Sequence, residues 1–205
     1  MVPRARIRVI VTVVAATGTE ARAIRRYATD GITVVQAGIA LKRAHRFDGL
    51  VISCGLAGGV RSGLPAGTPL IPERVYGPDD REIVCDTQAV AALTRAARDL
   101  GCAPVHDPLF TSRTLVHGIA RKDLEARGFA GVDMETALLD APRIACVRVV
   151  LDTQEREISP AWLRPWSVLF QPFALRDLPF LLREAPRAAD LAARIAVQAA
   201  ASLHL

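Results

Sequence analysis

Glu135 and Asp152 are the two acidic residues whose settings suggest chemistry. Glu135 lies in GVDMET, Gly131 to Thr136, and Asp152 lies in RVVLDT, Arg148 to Thr153. Each stands where an apolar run gives out, and in α/β proteins substrates bind at the carboxyl ends of strands. A carboxyl group there is suited to acid–base work, because its surroundings decide whether the neutral or the charged form is favoured. Each also has a plainer reading: an aspartate at a strand end caps a turn, and a glutamate between Met134 and Thr136 needs some partner. Glu20, in TGTEAR from Thr17 to Arg22, is a third candidate. It would lie in the first turn of a helix, where the helix dipole alone favours a carboxylate.

A glycine cluster, CGLAGG from Cys54 to Gly59, joins this set. Closely spaced glycines let backbone approach a ligand and offer N–H groups to its oxygens, although tight turns use the same residues. It is not a dinucleotide fingerprint, because GxGxxG should follow the first strand and this cluster follows the third with different spacing.

The elements that must position these residues alternate between two periods. Arg6 to Ala16, Ile32 to Ala37 and Leu50 to Ser53 are β-branched, apolar runs that predict strands, the third opening into the glycine loop. Thr17 or Thr19 is placed to cap the helix carrying Glu20. Ala40 to Arg46 predicts a short basic helix, Thr68 to Tyr76 and Glu82 to Cys85 predict strands around Gly77-Pro78-Asp79-Asp80, and Val105 to Val116 predicts a strand followed by a loop. Gln88 to Leu100, Gly118 to Arg127 and Pro186 to Leu203 predict helices. The expected fold is therefore α/β, a mixed central β-sheet sandwiched by helices in one domain over residues 1–205. Pro160 to Leu182 differs, with both tryptophans, Trp162 and Trp166, together with Phe170, Phe173 and Phe180. Its prolines argue against a long regular helix, leaving an apolar lid or an interface as the two readings.

A 51% hydrophobic content is ample for a core, and no apolar run reaches the roughly 18 residues of a membrane span, nor is there a signal-peptide pattern, so a soluble cytoplasmic protein is expected. Cys54, Cys85, Cys102 and Cys146 lack metal-site spacing and read as core residues, so no metal is expected. The net charge of +5 comes almost entirely from arginines dispersed along the chain rather than clustered with aromatics, which argues against nucleic acid as a partner.

Taken together, these motifs resemble the purine nucleoside phosphorylase and nucleosidase superfamily. Four landmarks follow that family's order between about Val9 and Asp152: Glu20 in TGTEAR, SCGLAGG at Ser53 to Gly59, VDMET at Val132 to Thr136, and LDT at Leu151 to Thr153. The resemblance implies a nucleoside phosphorylase-like three-layer fold and cleavage of the N-glycosidic bond of a purine nucleoside. It implies Asp152 as the general acid at the base, Glu135 as acceptor of the ribose hydroxyls, Met134 against the sugar face, and Glu20 as the base that activates water. Ser53, Gly55, Leu56, Ala57, Gly58 and Asp133 are implied in the ribose and base pocket, with Ser112 and Leu115 near the base. No cofactor is implied beyond phosphate as co-substrate in a phosphorolytic alternative, and a homo-oligomer is expected.

Three departures qualify what the resemblance implies. Leu151 stands where the family has a serine whose hydrogen bond orients the acid. The span from Glu135 to Asp152 is short and interrupted by Asp140-Ala141-Pro142, so the customary helix there must be truncated. Leu50 stands where phosphorolytic relatives carry an arginine, which favours hydrolysis, although Arg22, Arg43 and Arg113 offer other phosphate donors. LDT followed by REISPAW resembles the hopanoid-associated branch, which removes adenine from adenosylhopane. An aromatic flap would then accommodate the greasy 5′ substituent, and the positive charge would favour contact with an anionic lipid surface. A degenerate member that binds a nucleoside without cleaving it is the remaining alternative.

Overall fold

A computed structural model describes residues 11–41, 46–159 and 174–203. The first apolar run enters it as β1, Val11–Ala15, buried at all five positions as a strand covered on both faces should be. The chain then forms α1 (Gly18–Tyr27), β2 (Ile32–Gln36), β3 (Leu50–Gly59), β4 (Pro69–Leu70), β5 (Arg74–Tyr76), β6 (Glu82–Val84) and α2 (Thr87–Asp99). It continues through β7 (Leu109–Thr111), α3 (Ile119–Ala126), β8 (Gly131–Asp133), β9 (Arg143–Asp152) and α4 (Leu178–Leu203). The nine strands make one mixed sheet in the order β2-β1-β3-β8-β7-β5-β6, with β9 paired to both β3 and β4. This is the α/β architecture expected from the alternating periods.

β3 is the axis of the sheet. Leu50–Ser53 pair in parallel with β1 on one edge, and Leu50–Gly58 pair in parallel with β9 on the other. α4 packs against α1, α2, β3 and β9 through a face of small residues that includes Ala189, Ala192, Ala193, Ala196 and Ala200, all buried. A smaller apolar cluster of Val14, Ala37, Val51, Leu139 and Ile144 lies apart from this main core, and a third joins Leu124 of α3 to Val60, Phe129 and Val132.

Four expectations need correction. The glycine cluster is no loop, because β3 runs through it to Gly59. Thr68 to Tyr76 is two short strands, since Pro72 cannot donate to a ladder and Ile71 bonds instead to the Val105 carbonyl at 2.8 Å. No helix begins at Ala40: Ala40 and Leu41 have φ of 54° and 48° in a single 3-10 turn, and residues 42–45 lie outside the described residues. α4 begins at Leu178 rather than Pro186, so Phe180 is helical and Pro186 sits inside the helix, where it removes one backbone donor. Trp162, Trp166, Phe170 and Phe173 lie outside the described residues. The expected truncation after Glu135 takes the form of one 3-10 turn, Thr136–Leu138.

Gly131 shows how tightly the site-bearing strands meet. A Cβ there would collide with Leu70 Cδ1 and sit 3.2 Å from the Gly58 carbonyl oxygen across the β3–β8 ladder. Gly131→Val is expected to destabilise the protein by about 1–3 kcal/mol, read as a lower urea midpoint, and Gly131→Ala by less, because the end of Leu70 can give way.

Candidate functional site

The site begins with a gap in a ladder. Along one edge of β3, Leu50–Ser53 pair with β1 while Gly58 and Gly59 pair antiparallel with β8, which leaves Cys54–Ala57 without a strand partner on that edge. β1 has ended and β8 has not begun, a switch point of the kind where α/β sheets bind ligands. Glu20 enters here. Its Oε1 accepts the Leu56 N–H at 3.0 Å, supplying the partner that a neighbouring strand would have given. Its Oε2 accepts the Thr17 N–H at 2.7 Å and the Thr17 hydroxyl at 2.8 Å, closing a capping box in which Thr17 Oγ1 accepts the Glu20 N–H. The capping and site readings of Glu20 thus describe one side chain.

Gly55 is a glycine because of Glu20. A Cβ at that position would collide with Glu20 Oε1 and lie 2.6 Å from Arg148 Nη1. Arg148, in the middle of β9, is 1% exposed, and its guanidinium organises the acidic residues around it. Nη2 lies 2.8 Å from Asp133 Oδ2 and 3.3 Å from Glu135 Oε2, and it donates to Ser53 Oγ at 2.8 Å and Thr136 Oγ1 at 3.1 Å. Asp133 is saturated, accepting also from the Thr111 hydroxyl at 2.6 Å and from the Thr136 N–H and hydroxyl. Glu135 is not: one long bond of 3.3 Å from the Ala40 N–H accompanies its ion pair. With Glu20, Asp133 and Glu135 close to a single guanidinium, burial pushes the Glu135 carboxyl up to about 7. Arg148 opposes the shift, while Asp133 and Glu20 add to it.

Asp152 marks the other pole. Between Ala57 and Gly58 the β3–β9 register slips, so that Ala57 faces Val150 while Gly58 faces Asp152, and Leu151 is the extra residue of a bulge. A bulge breaks the alternation of side chains, which lets the adjacent Leu151 and Asp152 both line one cavity. Asp152 Oδ2 takes a hydrogen bond from Arg121 Nη2 and one of 3.3 Å from the Ile158 N–H. Burial raises the Asp152 pKa above its ordinary value, with the Arg121 charge and hydrogen bond acting against the rise.

These poles face a cavity of about 240 Å³. Glu20, Leu56, Ala57, Gly58, Leu115, Asp133, Met134, Glu135 and Asp152 line it, together with Ile39, Val116, Arg121, Ile158 and Leu181. Ser53, Gly55 and Ser112, expected in the pocket, do not line it. Ser53 is 1% exposed and serves as an acceptor for Arg148. Gly55 makes room for Glu20 and Arg148 behind the wall. Ser112 is turned into the β7–β8 connection, where its hydroxyl accepts the Thr114 N–H and its own N–H donates to the Asp133 carbonyl. Sequence reasoning missed both arginines that are buried among the described residues. Arg148 had a signal, as the only charge inside the apolar run IACVRVVL, whereas Arg121 looks like any other charge of α3.

No protein-family model matches the chain, and no curated protein matches it. Solved structures do match over nearly its whole length. The 5′-methylthioadenosine/S-adenosylhomocysteine nucleosidase of Neisseria meningitidis, in complex with methylthio-immucillin-A, is 19% identical with a TM-score of 0.68, over 94% of this chain and 98% of that one. The S-adenosylhomocysteine nucleosidase of Streptococcus pyogenes, in complex with 5-methylthiotubericidin, is 17% identical with a TM-score of 0.69, over 97% and 98%. The futalosine hydrolase of Helicobacter pylori is 12% identical with a TM-score of 0.68, over 97% and 100%. The mixed sheet and its flanking helices are thus those of the nucleoside phosphorylase/nucleosidase fold.

Proposed function

We propose that this chain cleaves the N-glycosidic bond of a purine nucleoside by hydrolysis, releasing adenine from a 5′-substituted adenosine. The observation that carries the reading is the arrangement of four carboxyl groups around one small cavity, Glu20, Asp133 and Glu135 at its Arg148 end and Asp152 at the other. Breaking the bond leaves positive charge on the ribose and negative charge on the base, so opposite ends of the site have opposite tasks.

In this reading Glu135 accepts the ribose hydroxyls. It is suited to that because its oxygens keep acceptor capacity that Asp133 has spent, and once ionised it also favours the developing cation. Met134 lies against the sugar, and Glu20 takes a proton from the attacking water. Asp152 donates to N7 of the departing purine, and Leu56, Leu115 and Val116 are apolar walls for the base.

Hydrolysis is favoured by the cations available. Among the described residues lining the cavity, Arg121 is the one arginine, and Asp152 engages it. Arg22 borders a separate surface cleft between α1 and α4, Arg113 is exposed, and Arg43 lies outside the described residues. The cavity is smaller than the roughly 300–1,000 Å³ usual for small-molecule sites, so a bulky 5′ group would have to extend past its rim. The lining residues Ile39, Ile158 and Leu181 are apolar, which suits a greasy substituent such as that of adenosylhopane and contact with a lipid surface.

Two outcomes test this. Purified protein given adenosine, methylthioadenosine or adenosylhopane should release free adenine without phosphate, and Asp152→Asn should slow release by about 10²- to 10⁴-fold with little change in binding. Release only with phosphate would instead make it a phosphorylase, and no release would sink the reading. The second outcome follows from Glu135. Its carboxyl is ionised above about 7 and protonated below, so a non-cleavable C-nucleoside should bind progressively more weakly as pH falls through that value. Glu135→Gln should bind weakly at every pH, removing that limb of the titration.

A further inference from the structure

Arg121 does more than the surface charge its sequence suggests. It is 2% exposed at the base end of the cavity, and its fork is engaged at each nitrogen. Nε donates to the Val116 carbonyl at 3.0 Å, Nη1 to the Gly59 carbonyl at 3.1 Å, and Nη2 to Asp152 Oδ2. Glu157 Oε1 stands 3.5 Å from Nε, and the Glu157 carboxylate also accepts the Gly118 N–H ahead of α3. β3 makes room for the arrangement: a Cβ on Gly58 would lie 2.9 Å from Arg121 Nη2 and 3.3 Å from Asp152 Oδ1. A buried guanidinium is expensive unless its donors are satisfied, and α3 is already anchored apolarly through Leu124, so helix docking alone does not account for it.

The two oxygens of Asp152 are unequal as a result. Oδ2 accepts from Arg121 and from the Ile158 N–H, whereas no hydrogen bond to Oδ1 is found among the described residues. A proton on this carboxyl therefore resides on Oδ1, and a side chain whose other oxygen is pinned from two directions holds Oδ1 in one orientation. The neighbouring Leu151 offers no hydrogen bond to the acid, and Arg121 supplies the orientation from another element.

We propose that Arg121 is the positioning residue of the general acid: it occupies Asp152 Oδ2, directs the transferable proton to Oδ1, and receives the carboxylate that remains when the proton has gone. The inference rests on the nucleosidase reading above. In the step, the C1′–N9 bond breaks with its electron pair passing to the purine, and N7 takes the proton from Asp152 Oδ1. Water adds to C1′ and gives a proton to Glu20, after which Glu20 releases that proton to solvent and solvent returns one to Asp152. The Arg121–Asp152 attraction is strongest after transfer, so it favours the transition state over the ground state. Among the described residues, the charged groups facing Asp152 are Arg121 from α3 and, through Arg121, Glu157 from the segment after β9, while β3 presents Gly58.

The test compares adenosine with 4-nitrophenyl riboside, whose leaving group departs without protonation. Arg121→Gln should lower kcat on adenosine by about 10²-fold or more with KM changed little, while cleavage of the nitrophenyl riboside stays within a few-fold. Burial would then act on Asp152 against backbone hydrogen bonds alone, so the carboxyl would keep its proton to higher pH and the kcat/KM profile on adenosine should shift upward in pH. Arg121→Lys, which keeps the charge but loses the fork, should fall between wild type and Arg121→Gln, and it carries the same pH comparison if the glutamine variant does not fold. Equal losses on both substrates with an unmoved pH profile would reduce Arg121 to a structural residue, and wild-type rates in Arg121→Gln would remove it from the mechanism. If wild-type protein releases no base from adenosine, methylthioadenosine or adenosylhopane, the nucleosidase reading falls first and this inference falls with it; if it acts only on a 5′-substituted adenosine, that substrate takes the place of adenosine in the comparison.

Discussion

A guanidinium in the interior of a β-sheet is the constraint from which the rest of this structure follows. Arg148 projects from the centre of β9 with almost no access to water, and an unpaired charge there would cost several kcal/mol. Its neutralisation needs Asp133 from the end of β8, Glu135 just beyond it, and the hydroxyls of Ser53 and Thr136. Glu20 approaches the same charge from α1, at a place where Gly55 has no side chain to exclude it. Three acidic groups from two separate parts of the chain are thus drawn to one point by a charge that does not line the cavity. Carboxyl groups in excess of the cation leave one of them short of partners, and Glu135 is the one, with acceptor capacity left over for a ligand.

The opposite end of the cavity repeats this logic with a different outcome. There the ratio is one carboxyl to one guanidinium, with Glu157 at the rim of the pair, and the bulge at Leu151 turns Asp152 inward. Glycines at 55 and 58 perform the same service at the two poles: each leaves a volume that a charged pair from other elements fills. Continuous β3 backbone with side chains withheld at those two positions lets both pairs lean on one strand. The cluster is better described as clearance for charge than as a flexible loop.

Much of this could be read from the sequence and some could not. β1, β2, α1 and α2 were legible because their periodicity is dictated by which faces they bury, and Thr17 and Glu20 announce a helix start in their own residue types. The acidic residues at the ends of β8 and β9 were legible for the same reason, since an apolar run that stops at a carboxyl marks a strand end. The course of β3 through its glycines was not, because the sequence shows a missing side chain without showing what fills the space. Arg121 was opaque because its burial depends on Gly58, Gly59, Val116 and Asp152, which are remote or featureless in the primary structure. Ser53 and Ser112 misled in the opposite sense, as polar residues beside the motifs whose hydrogen bonds are consumed inside the protein.

The central pairing of β3 with β9 also bears on how the molecule comes into being. Leu50 finds Arg143 across the ladder, so the two strands that frame the cavity are joined only after most of the chain exists. Parallel pairing across such a separation is slow, because the entropy of closing the loop is lost before the contacts form. During synthesis, β3 emerges with its β9 edge open and must wait, presenting an apolar template to other strands. Arg148 arrives last of all the partners, and until it does, Asp133, Glu135 and Glu20 have no counter-charge and every reason to stay apart in water. The acidic end of the cavity is therefore among the last parts of the sheet that can close, because its counter-charge is carried by the strand made last.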